Sequence, residues 1–331
     1  MSTDWLLDNG NPVVRYKTHT EILNTCNDSL LQKIMDEVLE LPQTQKRLLL
    51  LKNLDFSKTH GSPSMYLENT LPMLNDYGIY YGSTAFVEQI NNIDKVFTII
   101  LDSEYDKHIA YPFLLRSKFP NAELHEFANK RISEMYDFTE QKNYNIYDDV
   151  ANYKNIPVNF RDRPIVKPGL ALPLIYDIVM MAAVYKQSPA IINTKIDNII
   201  EYVISPEYDV VVPMYGIRFA SPNKYYAMGW DCKKPFNDKQ DFSNPNLHRL
   251  LLYSSFPNVV KTAWFQNAID YLTQFKTSSG TYIFPKEYLV EADGNWVLGV
   301  RMSLAENRRK KQWAEIESTF YMNKLFSNMN C

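Results

Sequence analysis

Apolar residues recur at helical spacing along most of the chain, and this periodicity is the strongest constraint on how the chain folds. Apolar residues three and four positions apart mark the segments 31–39, 86–100, 196–203 and 260–275, with charged and amide residues between them. Each stripe predicts an amphipathic helix with one face in water. Segment 172–185, LPLIYDIVMMAAVY, is apolar nearly all round and predicts a helix that is buried on every side.

Buried and amphipathic segments alternate, which indicates a repeat of helical hairpins. Pairs that begin near residues 12, 62, 108, 170, 244 and 310 amount to roughly five to six hairpins. Because no hairpin can bury its inner face alone, we predict an all-α fold, an (α/α) toroid with inner and outer helix rings formed by residues 1–331 as a single domain. An open superhelix of the HEAT type is the alternative. The polar segments 143–168 and 206–245 are expected to be long loops over one mouth of the ring.

The charge and cysteine content exclude several classes of protein. The chain has 35 Lys and Arg residues against 38 Asp and Glu residues, for a net charge of −3, whereas binding to nucleic acid through phosphate contacts needs a basic surface. The 3 cysteines are too few and too scattered for a disulfide framework. The chain opens without a secretion signal, and its longest apolar stretch is shorter than the ~20 residues that span a bilayer. We therefore expect a soluble, cytoplasmic protein with no nucleic-acid partner and no membrane span.

Aromatic residues make up 14% of the chain, led by 23 Tyr, while glycine contributes only 10 residues. The low glycine content, together with the absence of GxGxxG and GxxxxGK[ST] motifs, disfavours a glycine-rich phosphate loop. The aromatic excess is compatible with an aromatic cavity and equally with ordinary core filling.

Several segments resemble one bacterial family. They are WLLDNGNPVVRY at 5–16, His60-Gly61 followed by Glu68-Asn69, YYAMGWD at 225–231, and the closing stretch from Gly280 through Trp296 to Glu317-Ser318-Thr319-Phe320. This set is similar to segments of the uncharacterised prenyltransferase-like or squalene-cyclase-like (α/α) toroid proteins. The resemblance implies a barrel with a central cavity for a small apolar ligand. Among better-known relatives, that cavity holds a polyprenyl chain or its carbocation.

The motifs that carry chemistry in such relatives are incomplete in this chain. No DxDD acid motif of the squalene-type cyclases is present, and DDVAN at 148–152 departs from DDxxD at its last position. DGNW at 293–296 is a degenerate echo of the cyclases' Gln-and-Trp repeat. The protein prenyltransferases need Asp-x-Cys and a distant His for zinc, whereas Asp231 and Cys232 are adjacent here.

Four residues are candidate catalytic groups. Asp177 is a lone carboxyl in the most apolar helix, where burial would raise its pKa and make it a general acid. Asp231 is a second acid, in a loop expected at the mouth of the cavity. His60 lies just before a helix predicted to begin at Ser62-Pro63, whose positive end would disfavour protonation of the imidazole, and with Glu68 it would form an acid–base pair. The alternatives are a buried hydrogen bond for Asp177 and a hydrogen-bonded loop for His60 and Glu68.

Asp231, Cys232 and His248 are weak candidates for a metal site. All three residue types ligate zinc, and three protein ligands plus water would form a catalytic site. Adjacent side chains point apart on a helix or strand, so Asp231 and Cys232 would reach one metal only from a loop. We predict no cofactor, with zinc or magnesium as the alternative.

Aromatic and basic side chains are the candidate ligand-binding residues. The aromatic rings could stabilise a bound cation, and the arginines before segment 172–185 could clamp a phosphate or carboxylate. Core filling and a solvated loop are the respective alternatives. The residues are Tyr225, Tyr226, Trp230, Trp264, Trp296, Arg161 and Arg163.

The sequence favours two functional hypotheses, and a third is less favoured. The first is an isoprenoid-binding enzyme, an acid-initiated cyclase or isomerase whose aromatic cavity shields a cation. The second is a non-catalytic ligand-binding or scaffold protein, which the incomplete motifs favour. The third is a carbohydrate-active (α/α) barrel, although no pair of carboxylates with the expected separation is identifiable.

Overall fold

The computed structural model describes residues 2–55, 57–87, 103–229, 231–232 and 244–330. Its helices are α1 (Ser2–Asn9), α2 (Pro12–Lys17), α3 (Asp28–Glu40), α4 (Pro42–Lys52), α5 (Leu67–Asp76), α6 (Thr84–Val87), α7 (Glu104–Arg116), α8 (Ala122–Thr139), α9 (Ile175–Val184), α10 (Ala190–Ile204), α11 (Asn244–Tyr253), α12 (Ala263–Thr273) and α13 (Trp313–Met329). Its strands are β1 (Tyr147–Asp148), β2 (Ile165–Val166), β3 (Ile217–Ser221) and β4 (Lys224–Ala227). The apolar stripe predicted over 86–100 lies outside the described residues from position 88 onward.

The chain divides into two compact units. Unit 1 comprises Met1–Asn121 and Pro235–Cys331, and unit 2 comprises Ala122–Lys234. Unit 1 therefore contains both the N-terminal and the C-terminal part of the chain, and unit 2 is the continuous segment between these two parts in sequence. The single domain expected over 1–331 stays a prediction.

Unit 1 is built around helices that are buried along most of their length. Every residue of α5 from Leu67 to Asn75 is buried, and α5 packs against α7. Helix α13 buries most of its residues in the same way and packs against α1. The polar side chains that these helices carry are therefore enclosed in the unit, where each needs a partner.

The start of α2 shows how the sequence determines one helix boundary. Asn11 accepts a hydrogen bond from the Val14 N–H, and Pro12 occupies the first helical position, where a missing N–H has no consequence. The helix start predicted near residue 12 is confirmed. The predicted start at Ser62-Pro63 is wrong, because α5 begins only at Leu67.

Unit 2 contains a mixed β-sheet, so the prediction of an all-α fold, an (α/α) toroid, is wrong. The strand order is β1-β2-β3-β4, with β2 and β3 parallel and the outer pairs antiparallel. Strands β1 and β2 come from the first segment that we expected to be a long loop, and β3 and β4 come from the second. The predicted buried helix over 172–185 is present as α9, and α9 and α10 form the crossover between the parallel strands, as parallel pairing requires.

Arg131 and Asp177 form a buried ion pair in unit 2. Arg131 donates from Nε to Asp177 Oδ1 over 3.1 Å and from Nη2 to Oδ2 over 2.8 Å. Asp177 Oδ2 also accepts the Leu174 N–H at 2.8 Å, at the first turn of α9. Both charges are removed from water, so each depends on the other.

None of the helices in the described residues is both long enough and apolar enough to cross a membrane.

Replacing Arg131 with Met should lower the free energy of unfolding by about 3–5 kcal/mol, because the buried Asp177 carboxylate loses its main partner. Urea denaturation measures the change. Lys142→Met is the matched control, since Lys142 forms an exposed ion pair with Glu201 at 3.3 Å and its loss should change stability by at most about 1 kcal/mol. Equal losses in the two variants would contradict a structural role for the buried pair.

Candidate functional site

A π-helical turn at Thr18–Ile22 continues directly from α2 and carries the first part of the site. Such turns are rare and occur frequently at functional sites. Lys17 lies four residues after Val13, so it shares the buried face of α2. Its Nζ lies 2.5 Å from Glu21 Oε1, and Lys324 of α13 lies 3.3 Å from Glu21 Oε2. The Glu21 carboxylate thus pairs with both Lys17 and Lys324 in the π-helical turn that follows α2.

The ends of two buried helices supply the second part. Asp76 is the last residue of α5 and Arg116 the last residue of α7, and Arg116 Nη2 lies 2.7 Å from Asp76 Oδ1. The Trp296 indole N–H donates to Asp76 Oδ2 over 2.7 Å. The Arg116 guanidinium also lies over the Trp296 ring, 4.5 Å from its centroid. The arginine is therefore held by a carboxylate and an aromatic face at once.

Tyr80 is influenced by the charges of both groups. Burial raises its pKa, and the charges of Lys17, Glu21, Arg116 and Asp76 all act on its hydroxyl. The hydroxyl therefore stays protonated at neutral pH and can donate or accept a hydrogen bond. We name the group Lys17, Glu21, Asp76, Tyr80, Arg116 and Lys324 the Tyr80 cluster.

The Tyr80 cluster carries excess positive charge. Burial opposes ionisation of Glu21, yet the charges of Lys17 and Lys324 and their hydrogen bonds hold its pKa down at about 2. The Glu21 side chain is 23% exposed, so part of the cluster is accessible to solvent. Three cations surround two carboxylates there, so one positive charge remains unbalanced. The arrangement can receive an anion.

His248 adds a neutral imidazole beside the cluster. Its ring meets Trp296 edge-on, with centroids 4.5 Å apart. Burial, with Arg116 and Arg249 nearby, lowers the pKa of His248 to about 3, so the ring is uncharged at neutral pH. Its Nδ1 is buried and has no hydrogen-bond partner among the described residues.

A second network in unit 1 is centred on Glu317 of α13. Glu317 is fully buried, accepts the Leu304 N–H at 2.8 Å and lies 3.0 Å from Arg308 Nη2. Burial raises the pKa of Glu317 to about 8 despite the opposing charge of Arg308. Close by, Glu306 accepts the Asn11 N–H at 2.6 Å, which ties the start of the chain to this network.

The predicted pair His60 and Glu68 is brought together. His60 Nδ1 lies 2.9 Å from Glu68 Oε1, which also accepts the Gly61 N–H at 2.6 Å. The hydrogen bond with Glu68 raises the pKa of His60, whereas we expected a helix N-terminus to disfavour its protonation. The expectation was wrong because α5 begins at Leu67, well beyond His60, so the carboxylate dominates. The acid–base role of the pair stays a prediction.

The predicted acids of unit 2 are engaged in structural contacts. Asp177 accepts three N–H hydrogen bonds, so its geometry is that of an acceptor and not of a proton donor. Asp231 accepts the Met214 N–H at 2.6 Å, and the Cys232 thiol donates to the Pro173 carbonyl over 3.1 Å. The third metal candidate, His248, belongs to unit 1. Among the described residues, no group of three or more His, Cys, Asp or Glu side chains is arranged to hold a metal ion.

The predicted ligand-binding residues that the structure describes are likewise divided between unit 1 and unit 2. Tyr225 packs in the core of the sheet and donates to the Lys154 carbonyl over 2.7 Å, while Tyr226 is exposed on the same strand. Arg161 is exposed and Arg163 lies 5.9 Å from the Phe160 ring centroid, in the loop between β1 and β2. Trp264 packs edge-on against Tyr253 in unit 1, and Trp230 lies outside the described residues. Trp296 alone among these predicted residues contacts the Tyr80 cluster in the described structure.

None of the six members of the Tyr80 cluster was predicted from the sequence. A signal was present in three of them: Lys17, Asp76 and Arg116 are charged residues at the C-terminal ends of helices that contain buried residues. Cations are favoured at helix C-termini by the negative end of the helix dipole, which accounts for Lys17 and Arg116. Nothing in the sequence shows that the three helix ends meet.

Comparisons with known proteins add no relative. No protein-family model, no curated protein and no solved structure matches this chain.

Replacing Glu317 with Gln should change how stability depends on pH. Between about pH 4.5 and 8 the folded wild type retains a proton on Glu317 that the unfolded chain has released, so stability falls as pH rises, by up to about 1.4 kcal/mol per pH unit. Gln cannot titrate, so this contribution disappears in the variant. Urea denaturation at a series of pH values measures the difference between the two proteins. This difference in the free energy of unfolding should grow from pH 5 to pH 8 and then level off. If the unfolding free energies of the two proteins instead depend on pH in the same way, Glu317 does not titrate in this range.

Proposed function

We propose that the protein binds a small ligand with an anionic headgroup and an apolar body, and that the headgroup occupies the Tyr80 cluster. The observation that carries this proposal is the set of ion pairs beside the π-helical turn, where Lys17, Arg116 and Lys324 outnumber Glu21 and Asp76. A headgroup there would meet ammonium and guanidinium donors and the protonated Tyr80 hydroxyl. Charge-assisted hydrogen bonds of this kind are the strong ones in proteins.

A prenyl diphosphate is the ligand we propose within that class. It joins a diphosphate to an isoprenoid chain, and so agrees with the resemblance to prenyltransferase-like proteins. Segments that carry the resemblance make contacts with one another within unit 1: the Trp296 N–H donates to Asn69 Oδ1 over 2.9 Å, and the Tyr282 N–H donates to Thr319 Oγ1 over 2.9 Å. These contacts support unit 1 as the location of the site. The test below has two outcomes in which the ligand binds. In the first the protein converts the ligand by acid-initiated cyclisation or isomerisation, and in the second it binds the ligand without turnover.

We further propose a cytoplasmic location. Cys26, in the described part of the chain, is a free thiol, as is usual in a reducing compartment.

Replacing Lys324 with Met should weaken binding of geranyl diphosphate by about tenfold, because one charge-assisted contact to the headgroup is lost. Isothermal titration calorimetry with the full-length protein measures the dissociation constant, and mass spectrometry of the same mixtures detects any cyclised or isomerised product. Lys324 suits this test because its side chain is 24% exposed, so the substitution leaves no buried cavity.

Lys107→Met is the matched control. Lys107 also lies in unit 1, has a side chain 16% exposed and pairs with Glu104 at 3.2 Å, away from the cluster. Its removal changes the net charge equally and should leave the dissociation constant unchanged. Equal weakening in both variants would mean that only net charge matters, and no binding by the wild type would refute the proposed ligand class.

A further inference from the structure

Two buried arginines of unit 1 converge on a single exposed carboxylate. Arg47 lies on the buried face of α4 with Thr44, Leu48 and Leu51, and is 3% exposed. Arg301, 2% exposed, lies in a short antiparallel bridge with Glu291. Their guanidinium groups belong to parts of the chain more than 250 residues apart, so their meeting is a product of the fold.

Asp293 is the carboxylate they share. Its Oδ1 accepts from Arg47 Nη2 at 2.6 Å and lies 3.4 Å from Arg301 Nη1, and its Oδ2 accepts from Lys46 Nζ at 2.9 Å. The hydrogen bonds from Lys46 and Arg47 hold the pKa of Asp293 well below its usual range. The side chain of Asp293 is nevertheless 52% exposed, so solvent reaches the carboxylate that the two arginines share.

The arginines retain hydrogen-bonding capacity that Asp293 does not use. Nε and Nη1 of Arg47 and Nε of Arg301 are buried and have no hydrogen-bond partner among the described residues. Buried N–H groups without acceptors are rare, and each is expected to have a role. The remaining Arg301 donors are occupied by the Ala292 carbonyl at 3.0 Å and the Tyr77 hydroxyl at 3.2 Å, which fix the orientation of the guanidinium.

We propose that Arg47 and Arg301 form a binding site for a doubly charged oxyanion of the phosphate class, which displaces the side chain of Asp293. Without the aspartate, the one carboxylate that pairs with these three cations among the described residues is Glu291, which lies 3.5 Å from Arg301 Nη2 and also 3.5 Å from Arg308 Nε. Two positive charges are then unbalanced, and a dianion matches them where a monocarboxylate does not. The planar guanidinium groups present paired N–H donors that suit the oxygen atoms of a phosphoryl group.

The site is separate from the Tyr80 cluster, and the inference does not rest on the proposed function. None of Lys46, Arg47, Asp293 and Arg301 belongs to that cluster. A phosphate bound here would therefore leave the proposed ligand site with its own residues intact.

Asp293→Ala should bind inorganic phosphate about tenfold more tightly than the wild type does, because the internal competitor is gone. Thermal unfolding of the full-length protein is followed over a phosphate titration at constant ionic strength, with chloride as the balancing anion, and the shift of the melting temperature yields the affinity. Acetate is titrated in parallel and should produce no comparable shift in either protein.

Asp55→Ala is the matched control, because the Asp55 side chain is 50% exposed and pairs with a lysine, Lys58, on the surface of the same unit. It alters the net charge as Asp293→Ala does but leaves both arginines untouched, so phosphate should affect it as it affects the wild type. Adding Arg47→Lys to Asp293→Ala should abolish the gain, since a lysine retains the charge but lacks the paired donors.

A phosphate affinity in Asp293→Ala that does not exceed those of the wild type and Asp55→Ala would overturn the inference, as would an equal response to acetate. If Asp293→Ala does not fold, Asp293→Asn preserves the shape of the side chain and removes its charge. The same comparison then applies, and tighter phosphate binding is again the expected result.

Discussion

The hydrogen bond and ion pair made by Asp76 are the interactions on which the polar interior of unit 1 depends. One oxygen of this carboxylate holds Arg116 and the other holds the Trp296 indole, so a single side chain joins the ends of two buried helices to a loop more than 200 residues further along the chain. Trp296 is 1% exposed and can be buried only because its N–H finds this acceptor. Removing the carboxylate would release the arginine and the tryptophan together.

Charges enclosed in this way lower stability unless every member of the network is satisfied. Unit 1 nevertheless contains several, at Lys17, Glu21, Arg47, Arg301 and Glu317, where apolar residues of similar size would pack without that penalty. An apolar core would need none of them. Their concentration in one unit, beside a π-helical turn and beside guanidinium N–H groups without acceptors among the described residues, is the basis of the anion binding that we propose.

Helices could be predicted from the sequence where the apolar periodicity and the helix caps agreed. Strands that pair with a partner far along the chain could not be predicted. The Asn11-Pro12 cap and the buried helix α9 could be recognised because their signals are local. Strand β2, Ile165–Val166, is too short to show a period of two, and its parallel partner β3 lies some 50 residues away, so nothing local distinguished either from a loop. Trp296 was identified as a candidate, but Lys17 and Asp76 were not, because a charged residue at the end of an apolar helix more often faces water than another helix end.

The C-terminal end of α5 explains why two cation-rich groups lie so close together in unit 1. Asp76 takes part in the Tyr80 cluster, while the next residue, Tyr77, accepts a hydrogen bond from Arg301 at the site that we propose for phosphate. Consecutive residues at a helix end diverge by about 100°, so they reach different surroundings from one position. The aligned peptide dipoles of α5 leave a partial negative charge at this C-terminal end, which favours cations on both sides. The partial negative charge at the C-terminal end of α5 thus stabilises the guanidinium groups of both Arg116 and Arg301, although each arginine belongs to a different network.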